Sequence, residues 1–266
     1  MIMPARDGLS GIQRLFNPDE VIVRACLEGI LGKVSALFDR EGKPVSARTI
    51  VGDFCHLAGE ANPALLRGLP TATERPNLIL IPEGRAWEAL IESEFAGRFA
   101  RFPRYATARD PAAFDRERLA GFVKKLPVFY GIRPIDRALH RAALAQEWSR
   151  DLCSNFPSWD AWQAFGAGFV VLKEGEPVCG AASYAASSDA IEIEIDTRAD
   201  HRRRGLARAA AAKLILACLD RGVYPGWDAA NRESLALAEQ LGYRPGREYP
   251  AYSVSGARIP DGRPKR

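Results

Sequence analysis

Several residue types that mark common functional classes are scarce in this chain of 266 residues. It has five cysteines, placed singly with no C-x-x-C pair, and three histidines, so the clustered ligands of a zinc site are missing. The N-terminus lacks the apolar segment of a signal peptide, and no run approaches the roughly 18 apolar residues of a membrane span. We therefore expect a cytoplasmic protein with reduced cysteines, no metal and no membrane contact.

The chain also lacks a strong charge of one sign. Its net charge is +4 at pH 7, a mild basic excess that suits acidic ligands but falls short of a dedicated nucleic-acid-binding protein. The basic run at residues 201–213 has neither an aromatic platform nor a second basic patch beside it, so we expect no nucleic-acid partner. The hydrophobic fraction of 47% is enough for one large domain or two smaller ones.

The most informative segment is a basic turn between a strand pattern and a helix pattern. Residues 190–196 read A-I-E-I-E-I-D, which alternates as a strand does, and residues 208–219 consist of strong helix formers. Between them, residues 200–207 read D-H-R-R-R-G-L-A. The unpaired N–H groups of a helix start favour an anion, and without an anion the basic side chains would oppose the helix dipole. Gly205 and Ala207 leave room for such a ligand.

This strand, the R-x-x-G-x-A turn and the helix resemble motif A of the Gcn5-related N-acetyltransferase (GNAT) superfamily, where the turn holds the pyrophosphate of acetyl-coenzyme A. Residues 227–243 resemble motif B, in which an asparagine facing the cofactor precedes a helix that closes with Gly and an aromatic residue. The resemblance implies that acetyl-coenzyme A is the cofactor and that its contacts come from both motifs: Ile195, Asp196, Thr197, Arg202, Arg203, Arg204, Gly205, Leu206, Ala207, Asn231 and Ser234.

The resemblance implies an α/β (α+β) class fold, the GNAT fold, with a mixed central sheet flanked by helices over residues 128–254. Residues 1–127 are expected to form an α+β domain that resembles the degenerate N-terminal half of the zwittermicin A resistance-type subgroup; an unrelated α+β domain is the alternative. No R-x-x-G-x-G/A turn joins a strand to a helix there, so this half is expected to pack or to shape the substrate pocket. Residues 255–266 are expected to be a mobile basic tail.

Three acidic side chains share one face of the central strand, because side chains alternate along it: Glu192, Glu194 and Asp196. An alkyl ammonium has a pKa of roughly 10.4, so acetylation of an amine requires a group that accepts its proton. We predict Glu194, and then Glu192, as the base or as the anchor for the substrate ammonium. The alternative is an acidic face open to water. Trp227 and Asp228 are expected to line the acceptor pocket, although Trp227 suits a core position equally well.

The sequence departs from the family pattern at the usual general acid. Many members carry a tyrosine seven residues after the motif B asparagine, and here that position is Ala238. Tyr243, Tyr249 and Tyr252 are candidate substitutes, of which Tyr252 is the predicted catalytic residue; each also suits a packing role. A thiolate with a pKa of about 8.5 can leave without an acid. At Thr197 the resemblance implies backbone pairing with pantetheine, and we expect a β-bulge there to splay the strand from its neighbour.

These features predict an N-acetyltransferase that moves an acetyl group from acetyl-coenzyme A to a primary amine of a small polar molecule. The alternative is a catalytically weak acyl-coenzyme A-binding or regulatory protein that keeps motif A and has lost the chemistry together with the tyrosine.

Overall fold

The computed structural model describes residues 9–67, 69–70 and 78–254. Over these residues the chain divides into two compact units. Unit 1 holds the chain up to Arg104 together with the stretch that starts at Glu248, and unit 2 holds Tyr105–Arg247. The residues of the expected basic tail lie outside the described part of the chain.

Unit 1 begins with short helices and continues as strands and helices in alternation. Its helices and strands are α1 (Leu9–Ile12), α2 (Val21–Leu27), β1 (Lys33–Phe38), β2 (Pro44–Val51), β3 (Phe54–Gly59), α3 (Pro63–Arg67), β4 (Ile79–Pro82), α4 (Arg85–Glu94) and the first part of β5 (Phe99–Ala108). Strands β1, β2 and β3 are antiparallel neighbours, and β4 runs parallel to β3. The turn between β1 and β2 is closed by the Asp39 carboxylate, which accepts from the backbone nitrogen of Lys43 at 2.8 Å.

Unit 2 contains the larger share of helix. Its elements are α5 (Arg116–Lys124), β6 (Tyr130–Pro134), α6 (Arg137–Ala145), α7 (Trp159–Phe165), β7 (Gly168–Lys173), β8 (Glu176–Ala186), β9 (Ala190–Thr197), α8 (Leu206–Asp220), β10 (Tyr224–Gly226), β11 (Asp228–Ala229), α9 (Arg232–Leu241) and the first part of β12 (Arg244–Val254). Five strands form a sheet in the order β10-β9-β8-β7-β6, in which only β9 and β10 are parallel.

Local sequence signals set the limits of these elements. The Asp136 carboxylate caps α6 by accepting from the backbone nitrogen of Leu139 at 2.9 Å, and the Ser158 hydroxyl caps α7. Gly242 adopts the left-handed conformation with φ 112° where α9 ends. Helix α6 ends at Ala145, and a separate 3-10 turn follows at Arg150–Leu152.

Helix α8 and the Arg150–Leu152 turn cover opposite faces of the five-stranded sheet. The ammonium of Lys213 on α8 lies 5.7 Å from the ring of Phe169, while Leu152 packs where a side chain at Gly180 would point. Phe169 pairs with Ala181, the residue next to Gly180, and side chains alternate along a strand. Helix α5 packs along α8. For this reason residues 105–127 group with unit 2, which differs from the boundary expected after residue 127.

The two units repeat one order of elements. In each, three antiparallel strands are followed by a helix, a strand parallel to the third one, another helix and a long strand. These are β1 to β5 in unit 1 and β7 to β12 in unit 2, where the short β11 is added before the second helix. The long last strand of each order crosses the unit boundary, since β5 ends in unit 2 and β12 ends in unit 1. Residues 244–254 thus form a single strand, and its end belongs to the sheet of unit 1, where Tyr252 pairs with Leu80.

Candidate active site

The parallel strands β9 and β10 separate part-way along their length. Tyr224, Pro225 and Gly226 pair with residues 190–192, and there the pairing ends. The chain then passes to β11, which pairs with β5. Among the described residues, no strand pairs with this edge of β9 beyond Glu192. The opening is a place where main-chain groups of β9 can bind an extended ligand.

The bulge predicted at Thr197 is wrong. Strand β9 keeps regular antiparallel pairing with β8 from Ile193 to Thr197, and the Thr197 hydroxyl donates to the sulfur of Cys179 at 3.1 Å. The register shift lies in β8, between Ser183 and Ala185. The strands open for another reason, namely that the chain after Gly226 leaves β9 for β5.

The turn before α8 has the conformation of an anion site. Arg203 and Gly205 both adopt positive φ, 60° and 77°, and α8 begins at Leu206 directly after them. In the described structure no side chain caps this helix start, and its first turn contains no acidic residue. A Cβ at Gly205 would approach only the Arg208 guanidinium, at 4.0 Å, so the space in front of the helix start is open. Unpaired N–H groups and the helix dipole favour a phosphate at such a position.

The basic side chains of the turn do not all point into solvent. Arg202 donates to the carbonyl of Thr197 at 3.2 Å, and Arg204 donates to the carbonyl of Asp200 at 2.9 Å and the hydroxyl of Tyr130 at 3.4 Å. These bonds fix the turn to the end of β9 and to the start of β6. Arg203 is exposed.

His201 is a core residue and not part of an exposed basic cluster. It is 4% exposed, and its Nδ1 lies 2.9 Å from the Tyr130 hydroxyl. Burial lowers the pKa of His201, which favours the neutral imidazole. The charge expected at the helix start therefore comes from the arginines.

The acidic face of β9 is partly shielded from water. Glu192 is buried, and Glu194 and Asp196 are half-buried. The residues paired with them on β8 are the small Ala185, Ala182 and Gly180. Burial raises the pKa of Asp196 to about 7, and the nearby Arg202 guanidinium acts in the opposite direction.

Glu192 has a structural contact that the sequence did not reveal. Its Oε1 accepts from the backbone nitrogen of Asp228 at 2.7 Å. The bond joins β9 to the segment where the chain departs from β10. Glu192 thus binds at the mouth of the opening. Glu194, the next acid along the same face, has a contact of its own as well.

The motif B residues form a connected group around the start of α9. The side-chain Oδ1 of Asn231 accepts from the backbone nitrogen of Ser234 at 2.8 Å, which makes Asn231 the N-cap of α9. The Ser234 hydroxyl accepts from the indole nitrogen of Trp227 at 3.2 Å. Trp227 is buried against the ring of Tyr243, 5.4 Å away, so the structure favours the core position for it. Asp228 is half-buried.

The tyrosines considered as general acids are engaged in packing. Tyr243 is buried, its hydroxyl donates to the carbonyl of Pro225 at 2.7 Å, and burial raises its pKa well above the ordinary value. Tyr252 lies in the core of unit 1, where its hydroxyl donates to Glu92 at 2.7 Å and accepts from Arg101 at 3.1 Å. Burial raises the pKa of Tyr252 to about 12. Tyr249 is also buried. The proposed site below uses none of the three.

Sequence reasoning missed two features of this region. The sequence predicts only a cofactor contact for Asp196. Its position on the acidic face can be read from the alternation of the strand, but the burial that raises its pKa cannot. Residues 122–130 were divided between the two expected domains, yet Phe122 and Tyr130 both contact the start of α8 through Arg208 and Arg204.

The cysteines are buried thiols, and burial raises the pKa of each to about 12: Cys26, Cys55, Cys153, Cys179 and Cys218. Within the part of the chain that the structure describes, there is no group of three or more His, Cys, Asp or Glu residues placed to hold a metal ion. None of the helices in that part has the length and apolar character needed to cross a membrane.

Comparisons with known proteins agree with this architecture. The model of the GNAT acetyltransferase family matches residues 13–252, which spans both units. A crystal structure of a GCN5-related N-acetyltransferase-like protein from Streptococcus suis is 42% identical, with a TM-score of 0.85 over 92% of this chain and 98% of that chain. A putative acetyltransferase of the GNAT family from Novosphingobium aromaticivorans, at 17% identity and a TM-score of 0.54 over 90% of this chain and 100% of that one, shares the fold.

A curated relative from Bacillus subtilis, the uncharacterized N-acetyltransferase YdfB, is 25% identical over 180 residues. The alignment covers 65% of this chain and 64% of the relative's length.

Proposed function

The chain belongs to the GNAT acetyltransferase family, and from that premise we propose that unit 2 transfers an acetyl group from acetyl-coenzyme A to a primary amine of a small polar molecule. The observation that carries the proposal is the position of an uncapped, basic helix start directly after the strand whose edge is open. The turn at residues 202–207 would bind the pyrophosphate, and the edge of β9 from Ile193 to Thr197 would pair with the pantetheine amides.

The residues of the turn fit a pyrophosphate. The open space at Gly205 lets phosphate oxygens approach the backbone nitrogens of Leu206 and Ala207, while Arg203 and Arg204 add positive charge. Bound there, acetyl-coenzyme A would supply an activated thioester carbonyl, and a leaving thiolate with a pKa of about 8.5 would not require a protonating side chain. A leaving group that needs no acid is consistent with Ala238 at the position where many family members have a tyrosine.

The acidic face of β9 would handle the proton of the amine. An ammonium must lose a proton before its nitrogen can attack a carbonyl carbon, and a carboxylate with a pKa near the working pH accepts it most effectively. We assign that role to Glu194, with Asp196 as the neighbouring acid whose pKa of about 7 lets it relay or hold the proton. Glu192 would position Asp228 at the mouth of the opening through its bond to the backbone.

Unit 1 would serve a different purpose. Its order of elements repeats that of unit 2, which supports a degenerate copy of the same fold over the alternative of an unrelated domain. The start of α3 is Pro63, which has no N–H, and the Asn62 side chain already accepts from the backbone nitrogen of Ala64 at 3.0 Å. This helix start leaves no anion site comparable with that of α8. We therefore assign cofactor binding to unit 2 and propose packing or substrate selection for unit 1.

The test is the rate of free thiol release from acetyl-coenzyme A in the presence of a panel of primary amines, with mass spectrometry of the product. The proposal expects amine-dependent thiol release and a product heavier by one acetyl group. The second candidate, a weak acyl-coenzyme A-binding protein, is favoured by the engaged state of Tyr243 and Tyr252. Binding of acetyl-coenzyme A without thiol release for any amine would select that candidate.

A further inference from the structure

The segment from Phe122 to Tyr130 is attached to the start of α8 at both of its ends. At one end, the Arg208 guanidinium lies 4.6 Å from the centre of the Phe122 ring. At the other end, the Tyr130 hydroxyl contacts Arg204 at 3.4 Å and His201 at 2.9 Å. We call residues 122–130 the flanking segment. It borders the basic turn that the proposed function assigns to the pyrophosphate.

The strand pairing gives the same placement. Tyr130 at the start of β6 pairs with Lys173 at the end of β7, and Cys179 near the start of β8 pairs with Thr197 at the end of β9. Neighbouring strands in this part of the sheet are antiparallel, so the start of β6 and the end of β9 lie at one end of the sheet. The flanking segment and the turn after β9 therefore emerge on the same side.

Between its two attachments the flanking segment exposes an unusual combination of side chains. Lys124 and Lys125 are exposed, and so are the apolar Val128 and Phe129, the latter with 59% of its surface accessible. The Phe129 ring contacts the Tyr130 ring in a tilted arrangement, with ring centres 4.8 Å apart. A lysine in the last turn of α5 suits the helix dipole. Lys125 is the C-cap of the same helix, so the dipole accounts for both lysines, but it does not account for the exposed ring.

Basic side chains without an ion-pair partner lie in and next to this segment, whereas the Asp200 carboxylate beside His201 pairs with Arg198 at 2.8 Å. In the described structure, no acidic side chain pairs with Lys124, Lys125 or Arg203. Arg203 lies in the turn before α8, and the two lysines end α5, which packs along α8. Arg208 uses its guanidinium on a neutral partner, the Gln240 side chain, at 2.8 Å. Like charges assembled beside an aromatic ring suit a ligand that carries both an anion and a flat ring system.

We infer that the flanking segment recognises the 3′-phosphorylated adenosine of coenzyme A, with Phe129 stacking on the purine and Lys124 and Lys125 binding the ribose phosphate. The inference rests on the proposed function, because it needs the pyrophosphate at the adjacent turn. It adds a site for the nucleotide end of the ligand, at residues outside both sequence motifs. Such a site would distinguish coenzyme A from 3′-dephospho-coenzyme A. The pyrophosphate turn alone cannot do so, because both ligands carry the same pyrophosphate.

The test is a set of calorimetric titrations of the full chain with coenzyme A, 3′-dephospho-coenzyme A and pantetheine. Phe129→Ala is compared with Phe165→Ala, which removes another exposed phenylalanine, 44% accessible, on α7. The double variant Lys124→Ala and Lys125→Ala is compared with Lys33→Ala and Lys43→Ala, two exposed lysines of unit 1. All six replaced side chains are exposed, and unfolding curves of each variant establish that the fold is intact.

We expect Phe129→Ala to weaken coenzyme A and its dephospho form equally, by about five- to hundredfold, because a stacked base is lost. The lysine double variant should weaken coenzyme A by about two- to thirtyfold and the dephospho form hardly at all. Pantetheine should bind every variant as it binds the wild type, and both control variants should match the wild type throughout.

The outcomes separate the inference from the proposed function. If the wild type binds coenzyme A and neither flanking-segment variant differs from its control, the inference is wrong and the proposed function stands. An equal loss for all three ligands would also overturn the inference, since it would indicate a structural effect on the turn. If the wild type does not bind coenzyme A at all, the proposed function itself fails.

Discussion

The Glu192 carboxylate and the backbone nitrogen of Asp228 are 2.7 Å apart and share a hydrogen bond. The bond lies where β10 ends and the chain leaves for β11, so it joins the two sides of the opening between β9 and the departing segment. It also divides the roles of the acidic face. Glu192 holds the Asp228 backbone in place. Glu194 and Asp196 lie further along β9, beside the edge that no strand covers in the described part of the chain.

Replacement of Glu194 by Gln should lower turnover by about 10²–10⁴, because the amide keeps the shape of the side chain and cannot accept a proton at neutral pH. Affinity for acetyl-coenzyme A should change little, since the pyrophosphate turn is untouched. Steady-state kinetics and a binding titration check both statements. Glu239→Gln, at an exposed position on α9, is the matched control and should behave as the wild type. Full turnover in Glu194→Gln would remove this residue from the chemistry.

Asp196 should give the free energy of unfolding a characteristic pH dependence. Its folded-state pKa of about 7 lies above the ordinary value of 3.8, so the folded state holds a proton that the unfolded state has already lost between these two values. This group therefore makes the protein less stable as pH rises from about 4 to about 7. Asp196→Asn should remove that trend and unfold at higher denaturant concentration than the wild type at pH 8. Chemical unfolding curves at pH 5 and pH 8 provide the measurement, and an identical difference between the two proteins at both pH values would contradict the assignment.

The tyrosines should be dispensable for chemistry. Tyr243→Phe and Tyr252→Phe should each reduce turnover by less than tenfold, which is under about 1.4 kcal/mol of barrier, because each hydroxyl has a structural partner. Each change should instead lower the free energy of unfolding by roughly 0.5–1.5 kcal/mol through the lost hydrogen bond. Kinetics and unfolding curves on the same preparations separate the two effects. A drop of a hundredfold or more in one variant would identify a general acid after all.

The fold of unit 2 could be predicted to a large extent from local signals. The alternating A-I-E-I-E-I-D pattern predicts β9, the run of helix formers predicts α8, and Asp136 and Gly242 mark helix ends where the structure has them. These signals depend on residues that are close together in the sequence. The resemblance to the family motifs then predicts the order of the strands and helices. The anion turn at Gly205 belongs to the same class, because a glycine before a helix is visible in the sequence.

Features that depend on distant contacts could not be predicted. The partner of Glu192 lies 36 positions away along the chain. Helices α5 and α8, which pack on each other, are also far apart in the sequence. The burial of His201 needs Tyr130 from another strand. The bulge expected at Thr197 failed for a similar reason, since strand separation depends on where the chain goes after Gly226.

The domain boundary gives a prediction about fragments. A fragment of residues 128–254 lacks α5, whose Leu119 is fully buried, and lacks the strand segment 105–108 that pairs with β11. A fragment of residues 105–254 contains both. We expect the longer fragment to melt cooperatively at a clearly higher temperature, since loss of α5 exposes apolar surface of α8. Circular dichroism melting curves of the two fragments provide the comparison. Equal melting temperatures would show that α5 adds nothing to unit 2.

The central claim is that acetyl-coenzyme A binds at the turn before α8, and the most direct measurement is a calorimetric titration of acetyl-coenzyme A into three proteins. These are the wild type, Gly205→Glu and Gly222→Glu. Both glycines adopt positive φ, 77° and 67°, at opposite ends of the same helix, so the two substitutions impose similar backbone strain. Our account predicts saturable one-site binding in the wild type and in Gly222→Glu, and none in Gly205→Glu, where a carboxylate opposes the phosphate. Unchanged binding in a folded Gly205→Glu protein would contradict it.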